Sequence, residues 1–441
     1  MVGQALRGAA LVPLDRLEVN NIHSFGGCVV LEDAARRYAL PALLEPLSPR
    51  SGALVQAMIF GGLLSVPSVA PFYVEARTAR LAMFCGLDPD KERFDLGDLA
   101  VALRELDERW PQVCGLLMRP PHAEVRAITL FRTSQSAEQV EMGALGMDAE
   151  GIPVPLVPED GESAEAGLQG FLRQVARQSK GGPPLLTLDE ETAARMNAAR
   201  LEKQPYLIEL AAESLAALLR QLNQAQLLHA LRAGGPVEVR HHGERYILAP
   251  VGEVLREAAE GQEAQMRMGS LKELKELTSP TAARNMEGGA ASARAAGQGG
   301  TLATGAFQGV TTNVPAERLP AATAMEWTSR ARTTRAAFSP VQIVTGGPAP
   351  GERVMTWRNH QNLQFLTHRL RCHLHAEWSA RGETRPAEEV LRDLQEVHRA
   401  TLTVDGVVVR RLATHPSKTV AALLTKLNLW PLFESAECGR K

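Results

Sequence analysis

Few residues of this chain have the types and spacing to do chemistry, and Asp189 leads them. It follows the apolar run Leu185-Leu186-Thr187-Leu188 and precedes Glu190-Glu191. A carboxylate just past the C-terminal end of a buried strand stands where α/β folds place ligands and metal ions. The same residue, followed by acids and a helical stretch, also has the chemistry of a helix N-cap, and both readings stay open. A second group is His368, Cys372, His373 and His375. Helical side chains share a face only when three or four residues apart. Cys372 with His375 is read as the one such pair, so a structural role is expected over a metal site. His241-His242 fall at a hairpin turn, and the opposite facing of adjacent strand residues argues against a joint ligand role. A third group is basic. Arg330, Arg332 and Arg335 on one predicted helix, with Arg353 and Arg358 after it, suit either contacts to phosphate groups or an ordinary solvated face. The chain has no Walker loop, no dinucleotide fingerprint set between strand and helix, no G-x-S-x-G and no H-E-x-x-H.

The elements that must position these residues follow from the hydrophobic pattern. Residues 1–125 read as mostly helical, and the uncharged run 51–74, broken by Pro67 and Pro71, reads as a buried helix and loop rather than a membrane span. Short strands are predicted over 126–131, 140–147 and 151–157. Then come an amphipathic helix over 164–179, a buried strand over 185–188, a helix over 190–203, a strand over 205–210 and a long helix reaching 231. This alternation predicts a partly parallel sheet covered by helices. A strand pair over 237–240 and 245–248 comes next, then the Gly/Ala-rich tract 281–306, which is too poor in large apolar groups to bury much. Helices are predicted over 321–338, 359–379 and 386–400, and a final strand pair over 401–404 and 407–411 surrounds Asp405-Gly406, a favoured hairpin turn.

The chain has 441 residues, 45% hydrophobic and 22% charged. At about 150 residues per domain that suggests two or three domains, which excludes a disordered or disulfide-stapled chain. Five scattered cysteines with no C-x-x-C pair, and a start without a clear cleavage pattern, lead to the expectation of a reducing, cytoplasmic setting. The net charge of -2 is a cancellation. Residues 131–191 hold 4 basic against 11 acidic side chains, and residues 318–441 hold 18 against 11.

The order of features resembles a family. Leu130-Phe131-Arg132-Thr133-Ser134, Gln139-Val140, the stretch Asp148 to Pro153, Leu188-Asp189 with Asn197 and Leu201, and Tyr206-Leu207-Ile208 are similar to the catalytic core of DDE transposases of bacterial insertion sequences. Within these the insertion-sequence-four superfamily is nearest. Phe307-Gln308-Gly309, Thr312-Asn313, the helix from Trp327 to Phe338 and the helix after Asn359 continue the resemblance, which covers most of the chain. It implies an α/β, ribonuclease-H-like core, a mixed sheet flanked by helices, with an N-terminal helical region and a β-rich insertion. The division it suggests is 1–125 (helical, a candidate for DNA binding), 126–234 (first part of the core), 235–318 (insertion), 319–400 (helices completing the core) and 401–441 (hairpin and helix). In such a core three carboxylates hold Mg2+ for DNA strand transfer.

This chain departs from that pattern at the decisive positions. The first carboxylate falls on Arg132, and the third on Arg335, or on Thr334 with a one-residue slip. Asp189 alone remains, and Gln308 replaces a further acid. A guanidinium cannot ligate a metal and repels it at short range. The expected function is therefore a transposase-like protein that binds double-stranded DNA at element ends without strand-transfer chemistry, with a homodimer as the candidate assembly. The alternatives are an active Mg2+-dependent enzyme with a rearranged carboxylate set, for which Glu138 and Glu141 are the candidates, and a decayed product with no role.

Overall fold

A computed structural model describes residues 17–24, 26–64, 85, 96–118, 125–132, 142–155, 183–196, 204–222, 235–250, 307–338, 350–404 and 407–437. The predicted helix over 164–179 and the tract 281–306 lie outside the described residues, as do Glu138 and Glu141. The chain divides into two units, one of Met1–His122 with Val341–Lys441, the other Ala123–Pro340.

In the first unit strand β1 (Leu17–Ser24) leads into helix α1 (Gly26–Arg37), the short α2 (Leu40–Leu43), α3 (Pro49–Leu64) and α4 (Leu96–Leu117). Ser48 caps α3: its hydroxyl accepts from the Ser51 amide, and Pro49 takes the first turn, where no amide donor is needed. Leu54, Val55, Met58, Ile59, Phe60 and Leu63 of α3 are all buried, so the described part of the uncharged run, residues 51–64, packs in a protein core. No helix among the described residues is long and apolar enough to cross a membrane.

Later in the chain α8 (Pro350–Ala380) packs on α3 and α4, and α9 (Ala387–Leu394) packs on α1 and α3. Both helices thus join the first unit. The predicted helix over 386–400 stops at Leu394. Strand β10 begins at His398 and pairs antiparallel with both β1 and β11 (Val407–Ala413), and α10 (Lys418–Lys426) and α11 (Trp430–Glu437) follow. β1 has no counterpart in the predicted helical N-terminal region. Its partner is some 380 residues away, as in the pair Leu17↔Val404, and a window of neighbouring residues carries no signal of that pairing. Gly26 lies so close to the end of α9 that a Cβ there would stand 2.2 Å from the Leu394 carbonyl oxygen.

The second unit is α/β: an eight-stranded mixed sheet flanked by helices, in the order β4-β3-β2-β5-β6-β9-β8-β7. The strands are β2 (Ala127–Arg132), β3 (Met142–Met147), β4 (Pro153–Val154), β5 (Leu185–Asp189), β6 (Tyr206–Glu209), β7 (Val237–His241), β8 (Glu244–Pro250) and β9 (Phe307–Thr312). β2, β5 and β6 run parallel to one another, and the remaining pairs are antiparallel. Leu185 to Leu188 are buried on both faces, as central parallel strands require. The Thr129 and Thr187 hydroxyls of that interior satisfy each other across β2 and β5 at 2.8 Å. Helices α5 (Glu190–Arg195) and α6 (Ala212–Gln221) follow β5 and β6.

Helix α7 (Ala321–Phe338) crosses β2, β5, β6 and β8. It meets the sheet through Ala324, Thr328, Ala331 and Thr334, small residues at helical spacing that let helix and sheet approach closely, and through the larger Phe338 at its end. At its end Phe338 packs on Phe131, ring centroids 5.0 Å apart. Its entry is held by Arg245 of β8, a buried side chain that donates to the Val314 carbonyl (2.7 Å), the Leu319 carbonyl (2.8 Å) and the Glu238 carboxylate.

Candidate functional site

The parallel run of β2, β5 and β6 puts their C-terminal ends on one edge of the sheet. β5 ends at Asp189 and β6 at Glu209, and these two are register partners. β2 pairs with β5 through Thr129↔Thr187, so the register carries Phe131 level with Asp189 and Arg132 one residue beyond. The three positions read from the sequence are therefore reached in part. Asp189 and Arg335 come together, and the backbone of Arg132 ends at the same edge.

Asp189 is the N-cap of α5. Its Oδ1 accepts from the Thr192 amide at 2.7 Å, with the extended backbone of a capping residue. Its other oxygen faces Arg335, Nε at 4.0 Å from Oδ2. Next to it Glu190 is committed to the fold: its carboxylate accepts from the Ala211 amide (2.8 Å) and the Ser214 hydroxyl (2.6 Å), tying α5 to the start of α6.

The residue that sequence reasoning missed is Glu209. One of its oxygens accepts from Nε (2.9 Å) and Nη2 of Arg332, and the other accepts from Nη2 of Arg335. Two guanidinium groups thus converge on one carboxylate, and Arg335 bridges it to Asp189. The only signal available was its place next to the end of the strand predicted over 205–210, which stops one residue earlier than expected, at Glu209 itself. The spacing of Arg332 and Arg335 puts both on one face of α7. Thr334 is buried and turned to the Met147 sulfur at 3.9 Å, so the residue facing the sheet edge is Arg335. Side-chain exposures of 13% for Arg335, 20% for Glu209 and 33% for Asp189 make this a half-buried ionic cluster.

Arg330 points elsewhere. It pairs with Glu326, lies over the Trp327 ring (4.9 Å) and donates to the Ala149 carbonyl (3.3 Å). It thereby closes on the turn between β3 and β4, where Gly151 has φ +80° and a Cβ would stand 2.6 Å from Arg330 Cδ. All three arginines of α7 are therefore met by a carboxylate within the second unit. Arg353 and Arg358 lie on α8 of the first unit, their side chains outside the described residues.

Among the described residues, the donor set at this edge does not fit Mg2+. Asp189 has one oxygen committed to a cap, Glu209 has both oxygens on guanidinium groups, and the cation Arg335 is already between them. A hard divalent ion needs several free oxygens, and a guanidinium seated between the two carboxylates both occupies them and repels the ion. Among the described residues no group of three His, Cys, Asp or Glu side chains is placed to hold a metal ion.

Two readings of the histidines change. The pair that meets in α8 is His368 with Cys372, four apart, Sγ 3.6 Å from Nε2, and not Cys372 with His375. His368 is buried, and burial, helped by Arg371, pushes its imidazole down to about 3, which leaves it neutral. His373 stacks on Tyr38 at 4.2 Å. At the β7–β8 hairpin His241 and His242 do approach, ring centroids 4.0 Å apart. His242 is in the two-residue turn with φ 49°, outside the alternation of a strand. His241 is engaged by Gln221 of α6.

No disulfide links the described cysteines, and burial pushes the Cys28 and Cys114 thiols up to about 12, far from a nucleophilic thiolate. Compared with known family models, curated proteins and solved structures, the chain matches none of them.

Proposed function

We propose that this chain is a catalytically silent relative of the DDE transposases that acts by binding double-stranded DNA. The observation that supports this reading is the position of Arg335. The resemblance assigns a metal-binding glutamate to the place where this chain carries a guanidinium, and here that guanidinium bridges Asp189 and Glu209. A tethered cation so placed neutralises the acids that a divalent ion would otherwise neutralise, and its charge repels such an ion. The mixed sheet with its parallel centre, and Asp189 at the C-terminal end of a central strand, are compatible with a ribonuclease-H-like core.

On this reading the work of the protein is occupancy of DNA. Arginines are the residues suited to it, because the planar guanidinium offers several donors to phosphate oxygens and keeps its charge at every physiological pH. Fluorescence anisotropy with a labelled duplex, carried through a salt series, tests it. Binding is expected to weaken steeply with salt, log K falling with log salt by about 0.9 for each phosphate neutralised. No binding at low ionic strength would overturn the proposal. A Mg2+-dependent nicking activity that Asp189→Ala abolishes would overturn its silent-enzyme half.

A further inference from the structure

We infer that Glu209 is a built-in competitor for phosphate. It occupies a two-arginine site formed by Arg332 and Arg335 that otherwise takes a phosphate of the DNA backbone. This rests on the DNA-binding reading above and adds to it a site and a control.

The argument is geometric. Arg332 and Arg335 stand three residues apart on α7 and direct their guanidinium groups to a common point beside the ends of β5 and β6. Each takes a different oxygen of Glu209, Arg332 through two nitrogens and Arg335 through one. Two arginines converging on separate oxygens of one anion is an arrangement that recognises phosphate, and a backbone phosphodiester presents, like the carboxylate, two anionic oxygens that share one negative charge. Glu209 is the last residue of β6, so its carboxylate stands at the strand's end rather than within the core. It is accessible enough (20%) for an incoming anion to compete, and Arg332 is open at 42%. Asp189 matches the remaining charge of the pair at longer range, 4.0 Å. The cluster is electrically closed as it stands: two acids, two arginines. A phosphodiester entering it must displace Glu209, so affinity is set by the difference between two anions for the same donors, and the acid keeps weak polyanions out.

Replacing Glu209 by its neutral isostere separates this from a plain structural ion pair. Binding of a labelled duplex to Glu209→Gln is expected to tighten about tenfold, with the log K against log salt slope steeper by about one to two, because two arginines become available for phosphates. Glu191→Gln removes the same charge from an exposed position beyond Asp189 and is expected to change affinity less than about twofold by long-range electrostatics alone. Adding Arg335→Ala to Glu209→Gln should remove the gain. In the unaltered chain, the side-chain Nε–H resonance of Arg332 should shift when duplex is added, a readout that needs no variant to fold.

If the chain binds duplex but Glu209→Gln binds no tighter than Glu191→Gln, the competitor role is overturned while DNA binding stands. If neither the parent nor Glu209→Gln binds duplex at low ionic strength, DNA binding itself falls, and this inference with it. Inorganic phosphate competing at millimolar concentration as well as an equal phosphate load of duplex would overturn the assignment to a nucleic-acid backbone and indicate a free-phosphate site.

Discussion

Arg335→Met keeps the length and apolar body of the side chain while deleting its charge, and the size of the effect follows from the cluster. At 4.0 Å, the Arg335 to Asp189 separation, a unit charge pair is worth roughly 4 kcal/mol at an effective dielectric of about 20, before the cost of desolvation. That cost and the partial exposure of both acids remove most of it, and exposed pairs retain less than about 1 kcal/mol. The contact with Glu209 is more buried and directly hydrogen-bonded, and charge-assisted bonds of that kind retain about 1.5 to 3 kcal/mol. Glu209 keeps Arg332 after the substitution, which limits the loss. Arg335→Met should therefore destabilise the second unit by about 2 kcal/mol. In a Glu209→Gln background the same change should cost only about 0.5 kcal/mol, giving a coupling near 1.5 kcal/mol between the two residues. Native-state hydrogen exchange of α7 peptides across a urea series reads this locally, independent of the other unit. A coupling below about 0.3 kcal/mol, within the additivity of unconnected sites, would refute the view that Arg335 acts as the cation of the cluster.

Four further outcomes are expected. Arg132→Asp with Arg335→Glu restores acids at the two replaced positions. If guanidinium charge is what excludes the ion, this variant gains stability with Mn2+, about 2.7 kcal/mol at a hundred times the dissociation constant, read by thermal melting, and the parent does not. Acid stability should fall in two windows, followed by circular dichroism against pH. His368 is neutral in the fold, pushed from 6.5 to about 3, so the unfolded chain binds the extra proton and stability is lost as pH falls between those values; His368→Gln should flatten that part. Glu383, held down to about 2 by Arg385 and Lys426 against an ordinary 4.5, adds stability above 4.5 that disappears as pH falls toward 2. Gly26→Ala places a Cβ 2.2 Å from the Leu394 carbonyl oxygen and should cost at least about 2 kcal/mol in urea unfolding, since backbone has to move apart.

Much of the local structure was legible because it rests on nearest-neighbour chemistry. Helix α7 runs over the predicted 321–338, and the β7–β8 hairpin and the short strands β2, β5 and β6 are where periodicity and turn residues put them. Helix ends were less so. The run 386–400 looked helical throughout, yet the helix stops at Leu394 and from His398 the chain forms a strand whose partner, β1, is at the other end of the chain. The histidine pairs were misread for local reasons: the turn at His242 takes a positive φ, and in α8 the four-residue spacing of His368 and Cys372, present in the sequence, carried the contact.

For the site, the chain's own order of residues determined which side chains are present: Asp189 at a strand end with capping chemistry, arginines where acids are expected from the resemblance, and Arg332 and Arg335 on one helical face. Those properties depend on residues a few positions apart. Tertiary structure alone decided that Glu209 is the anion of the cluster, that Arg335 and not Thr334 meets Asp189, and that Arg330 serves the β3–β4 turn instead. The physical reason is that parallel pairing joins strands with no turn to set their register, so the neighbour of Asp189 is settled by burial of the whole sheet. The phase of α7 is settled likewise, by the small residues Ala324, Thr328 and Ala331 that bring it down onto that sheet.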